Sequence, residues 1–152
     1  MRKFGGLAVA LALAGAANAE PSKPPASNGP LSGPTHFVNG RKDPALLAMI
    51  RRGMSHRIDF DGRFSSSTVS CGAACNSFWF VDRRTGGVVA APESQVADEF
   101  TWDIATKPDS DLVQLVVGPR DGVGAQCARL RYRWNGNAFV ATGKRSWVKC
   151  PG

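Results

Sequence analysis

Four cysteines are the residues of this chain best suited to chemistry. Cys71 and Cys75 stand in the stretch C-G-A-A-C, and Cys127 and Cys150 follow singly. A redox pair needs C-x-x-C at a helix N-terminus, where the helix end acidifies the thiol. Here the spacing is one residue longer, and the run S-F-W-F-V over 77–81 reads as a strand rather than a helix. A zinc site fails as well, because Cys127 and Cys150 do not form a second knuckle. Nucleophilic cysteine would need a placed base. The two histidines, His36 and His56, stand in no metal spacing and read as loop residues. Ser65-Ser66-Ser67 lacks the G-x-S-x-G context of a hydrolase nucleophile. Asp59/Asp61 and Asp109/Asp111 are two-apart acids, a pattern common in turns. The residues thus assemble no catalytic set and call for no cofactor.

The start of the chain gives the cysteines their context. Arg2 and Lys3 precede an apolar stretch from Gly5 to Ala17, and Ala17-Asn18-Ala19 offers small residues on both sides of a cleavage point. This is the pattern of a secretory signal peptide, residues 1–19, cleaved after Ala19. The stretch is shorter than the roughly 20 residues of a membrane span. Removing Arg2 and Lys3 leaves a formal charge of about +5 from the +7 of the full chain. A periplasmic or secreted location follows, and in an oxidising compartment an even cysteine count predicts disulfides. Three pairings remain open. The local one, Cys71–Cys75 with Cys127–Cys150, closes short rings. The crossed ones close longer loops and would stabilise more, by roughly 4 against 2 kcal/mol.

A second pattern points to binding. In R-L-R-Y-R-W, residues 129–134, strand period places Leu130, Tyr132 and Trp134 on one face and Arg129, Arg131 and Arg133 on the other. The plain reading is a half-buried strand with a solvated face. The sharper reading is a cationic stripe, since residues 122–152 hold six Lys and Arg and no Asp or Glu. With Lys144, Arg145 and Lys149, the stripe would steer an acidic envelope protein or an anionic envelope component. Nucleic acid does not fit that compartment.

The elements that must position these residues follow in order. Residues 20–34 carry five of the ten prolines with Ser and Gly, and read as a disordered linker. Residues 35–152 suit a single domain. Asp43-Pro44 starts a short amphipathic helix whose Arg51 and Arg52 oppose its negative end and whose Gly53 stops it. After it come about seven short strands: 57–60, 67–71, 77–81, 88–91, 100–105, 112–117 and 128–134, with returns at 138–141 and 146–149. Turns fall at Asp82–Gly87 and at Asn135-Gly136, and a Gly-rich loop spans 119–126. The expectation is an α+β domain, one short helix on an antiparallel sheet with hairpin connections.

Several elements, in their order along the chain, resemble those of a family of small exported bacterial proteins of uncharacterised function. They are D-F-D-G-R-F (59–64), C-G-A-A-C (71–75), D-R-R-T-G (82–86), D-S-D-L (109–112), Cys127 and Y-R-W-N-G (132–136). In that family the first element tends to read N-F-A-G-H-Y and the second W-G-C-G-T-x-C. This chain has Arg63-Phe64 at the His-Tyr and Val69-Ser70 before the first cysteine. The resemblance implies export and disulfides and carries no activity. The sequence therefore points to a non-enzymatic exported binding protein, of inhibitor or immunity type, using a basic sheet face. The alternative is a periplasmic hydrolase or thiol redox enzyme.

Overall fold

A computed structural model describes residues 31–72, 75–92, 99–119 and 126–151. The expected signal peptide, residues 20–30 of the linker and residues 120–125 of the Gly-rich loop lie outside the described residues. The elements run β1 (His36–Phe37), α1 (Pro44–Gly53), β2 (Phe64–Gly72), β3 (Cys75–Asp82), β4 (Gly87–Ala90), β5 (Glu99–Ala105), β6 (Leu112–Pro119), β7 (Gln126–Trp134), β8 (Phe139–Ala141) and β9 (Ser146–Lys149).

Among the described residues the chain is mostly β with one short helix, as expected, but the strands form two sheets rather than one. The first has the order β1-β4-β3-β2 and the second β5-β6-β7-β8, with β9 also on β7. All pairings are antiparallel except β1 with β4, which is parallel. β1 escapes a reading by pattern because two residues carry no periodicity. Residues 57–60 do not form the expected strand. They are a loop, with Phe60 in an isolated bridge to Phe64.

The layers are helix, four-stranded sheet, five-stranded sheet. Between the sheets lie Phe60, Phe64, Phe80, Val113, Leu115, Val117, Tyr132 and Trp134. Between the helix and the first sheet lie Phe37, Ile50, Val69, Val81 and Val88, flanked by Leu46, Leu47 and Trp79. The first sheet is thus covered on both faces. That is why S-F-W-F-V is apolar without alternation, since such strands read as continuous hydrophobic runs. The linker's last residues join the fold: Leu31 packs on the helix-side core, and the Ser32 amide donates to Arg83 O at 2.9 Å. Gly86, at φ 76°, has no room for a Cβ because the Pro34 carbonyl lies against it.

Helix α1 begins as its sequence dictates. Asp43 accepts from the Leu46 amide at 3.0 Å and Pro44 opens the first turn. Its end differs. Gly53 is no left-handed stop, since the cap Met54 is extended. A Cβ on Gly53 would lie 2.8 Å from Thr68 O, so glycine lets the helix end touch β2. Ser67 Oγ then donates to Ile50 O at 2.8 Å and satisfies one of the helix's terminal carbonyls. The Leu46 amide, and next Arg41, hold the Asp43 carboxyl below its usual 3.8. A lowered folded pKa gives stability that is present above the unfolded value and lost as pH falls through the folded one. Asp43→Asn keeps a cap without the charge. It should lose less stability than the parent as the pH falls below the ordinary carboxylate value of 3.8, as read from urea midpoints.

Cys127 and Cys150 form a disulfide with Cα atoms 4.8 Å apart. This excludes both crossed pairings, despite their larger loop entropy. The register explains why: Cys127 pairs with Val148, so β9 delivers Cys150 to its neighbour's side. A Cβ on Gly118 would sit 2.5 Å from Cys127 Sγ, so glycine leaves the sulfur its space. Cys71 is also disulfide-bonded. It lies near the end of β2 and Cys75 at the start of β3, where Gly72 pairs with Cys75. Neither cysteine stands at a helix N-terminus, so the helix end that would acidify a redox thiol is missing there.

Candidate functional site

The register of the five-stranded sheet decides which basic residues share a face. Arg129, Arg131 and Arg133 pair with Val116, Gln114 and Leu112 of β6, while the intervening Leu130 and Tyr132 pair with core-facing Leu115 and Val113. The arginines therefore line the side away from the first sheet. Alternate strand residues are roughly 7 Å apart, so the three span roughly 14 Å. Arg131 and Arg133 are exposed and Arg129 is half-buried. Arg133 lies 3.6 Å from Asp111, and among the described residues Arg129 and Arg131 pair with no carboxylate. No described helix or strand makes substantial contact with that face.

The other three basic residues do not complete this surface. Lys149 pairs with Gln126, which puts it on the opposite face from Ser146 and Val148. Arg145 lies 5.7 Å from the Trp147 ring centre and close enough to Tyr132 to oppose the rise that burial causes in its phenol pKa. Tyr132 belongs to the inter-sheet core, so Arg145 serves that side. Lys144 is exposed in the turn between β8 and β9. The expected six-residue patch is divided by the sheet, and the three β7 arginines remain together.

Asp59 and the serine run are tied into the local fold. Asp59 accepts from Ser66 Oγ at 2.6 Å, Ser66 N at 3.0 Å and Ser55 Oγ at 3.3 Å. Ser65 Oγ donates to Arg57 O and receives Arg83 Nε, both at 2.6 Å. Arg83, 8% exposed, also donates to Ser55 O at 2.8 Å. All three hydroxyls of the serine run are thereby engaged. Among the described residues no group of three or more His, Cys, Asp or Glu is placed to hold a metal ion.

A second candidate, missed in the sequence, is a cleft where the two sheets meet. Asp61 and Gly62 both have positive φ, as the central pair of a type I′ turn does. This turn docks on the β5–β6 loop: the Asp61 amide donates to Ser110 O at 3.0 Å and Gly62 to Pro108 O at 2.6 Å. The turn thereby aims Arg63 at Asp82, with Nη1 3.3 Å from Oδ2, and stacks its guanidinium 4.7 Å from the Phe64 ring centre. Arg63 Nε is 3.3 Å from Asp61 Oδ2 but off line, so this buried N–H has no aligned acceptor. Trp134 packs edge-on against Phe64, with ring centres 5.6 Å apart. It is 7% exposed, and its indole N–H has no acceptor either. Arg63, Phe64, Asp82, Thr85 and Trp134 line a cavity of about 160 Å³, with Val38 and Val89 as apolar walls. Four segments far apart in the chain thus converge: the D-F-D-G turn, the D-S-D-L loop, D-R-R-T-G and Y-R-W-N-G. One signal was available in the sequence, since each of the two Gly-terminated turns starts beside a polar or indole group, Asp82 and Trp134.

Fold and site together define a small helix-covered double-sheet domain with one basic face and one polar cleft. Comparison with protein families, with curated proteins and with solved structures returned no match. Among the described residues no helix is long and apolar enough to cross a membrane.

Proposed function

We propose that this is an exported, non-enzymatic binding protein that holds an acidic protein partner on the outer face of its five-stranded sheet. One observation carries the reading: Arg129, Arg131 and Arg133 stand in file on a face that no described element covers. A field of one sign on an open sheet attracts carboxylates and orients them. Three cations in a straight line also suit a partner whose acids are spaced along a strand, the geometry of an inhibitor- or immunity-type contact. Export rests on the N-terminal pattern, and the Cys127–Cys150 disulfide fits an oxidising compartment. The resemblance to small exported bacterial proteins supports the same location.

Net charge alone must be separated from this face. Arg129→Glu/Arg131→Glu/Arg133→Glu should abolish affinity capture of acidic proteins from an envelope extract. Lys42→Glu/Arg51→Glu/Arg52→Glu, at exposed positions in and beside the helix, changes net charge by the same amount and should retain most of it. Equal loss in both variants would remove the β7 face as the interface.

A further inference from the structure

The basic residues left off the arginine file stand beside one exposed indole. Trp147, on β9, is 62% exposed, the most of any large apolar side chain among the described residues. It pairs with Ala128, which is buried between the sheets, so its ring overhangs the margin of that packed layer. The Arg145 guanidinium lies 5.7 Å from the ring centre, in the range of a cation–π contact. Strand period puts exposed Lys149 on the same side as Trp147, with Ser146 and Val148 on the other. Exposed Lys144 precedes Arg145 in the turn from β8. Among the described residues neither Lys144 nor Lys149 pairs with a carboxylate, and residues 122–152 contain no Asp or Glu. The cluster is held in place, because β9 pairs with β7 along its length and Cys150, next to Lys149, is bonded to Cys127.

An indole ring takes the boundary between lipid headgroups and acyl chains, where its body is apolar and its N–H can bond a headgroup oxygen. Lysine and arginine beside it are attracted to an anionic lipid surface. The ring here projects from a sheet margin, and a membrane accepts a projecting group without a pocket shaped for it. We propose that the β9 margin docks on anionic phospholipid membrane, with Trp147 entering the interface and Lys144, Arg145 and Lys149 taking the headgroup phosphates. This surface is separate from the arginine file and does not depend on the acidic-partner reading.

Co-sedimentation with vesicles of phosphatidylglycerol and phosphatidylcholine in equal parts tests this. The parent should bind them at low salt, release as salt rises, and leave vesicles of phosphatidylcholine alone unbound. Phosphatidylcholine brominated in its acyl chains, mixed into the anionic vesicles, quenches tryptophan that enters the membrane. The chain has four tryptophans, and Trp147→Phe, at a position exposed enough to tolerate the change, should remove most of that quenching. Lys144→Gln/Lys149→Gln should weaken binding about twentyfold, at about fivefold per cation. Arg131→Gln/Arg133→Gln makes an equal charge change at exposed positions of the arginine file and should weaken it far less. Equal loss in the two double variants would mean attraction by net charge alone, and would overturn the proposal. So would quenching that survives Trp147→Phe, or a parent that leaves the anionic vesicles unbound at low salt.

Discussion

Phe60→Ala should lower the free energy of unfolding by about 3–5 kcal/mol, among the larger costs for truncating a core aromatic. Phe60 is fully buried, and its ring centre lies 4.9 Å from that of Phe80, 5.7 Å from that of Phe64 and 5.9 Å from that of Phe139. These partners come from both sheets, since Phe139 is on β8. The residue sits in a loop, where the strand expected over 57–60 does not form. Its backbone is fixed as well, because Phe60 O accepts the Phe64 amide at 2.9 Å and the Arg63 amide at 3.2 Å. The turn that aims Arg63 cannot relax into the cavity without giving up those bonds, which argues for the upper part of the range. Urea denaturation should show the midpoint falling with the slope unchanged. A loss under 1 kcal/mol would mean that the sheets close over the gap.

Cys127→Ala/Cys150→Ala should cost about 3 kcal/mol by the loop-entropy account, for a bridge whose cysteines are 23 residues apart. A double variant is the right probe, because reductant would also open the disulfide at Cys71. The ring encloses β7 from Cys127 onward, all of β8 and all of β9, and β7 is also held by β6, so its loss should act most on the two short strands. Cys127 is fully buried beside Gly118, and the vacated sulfur space adds a packing loss to the entropic one. Hydrogen exchange should show the greatest loss of protection in β9, with the first sheet nearly unchanged. Equal loss of protection across both sheets would contradict this.

The helix and most strands were legible because each had a local signal. Asp43-Pro44 marked a helix start, Asn135-Gly136 a hairpin, and R-L-R-Y-R-W a strand with one wet face. The split into two sheets was not legible, since either face of S-F-W-F-V could have met the core and in fact both do. Residues 57–60 looked like a strand because Ile58 and Phe60 alternate, yet side-chain bonds from Ser65 and to Asp59 hold them as a loop. The arginine file was visible by period two. Its separation from Arg145 and Lys149 depended on the β7–β9 register, which sequence does not state. The cleft depended on four segments far apart in the chain, each unremarkable alone.

The outer margin of β7 has a consequence for how the molecule behaves in company. It is occupied by two short strands in series: β8 along Tyr132–Trp134 and β9 along Gln126–Arg129. A single long partner would have offered its own far edge as a continuous row of amides and carbonyls, ready to recruit another chain. Strands of three and four residues, separated by a turn carrying Lys144 and Arg145, break that row into pieces too short to template pairing. The first sheet ends as guardedly, on the two-residue β1 at one side. These two margins, short and interrupted, thus give a second copy of the chain little to pair with.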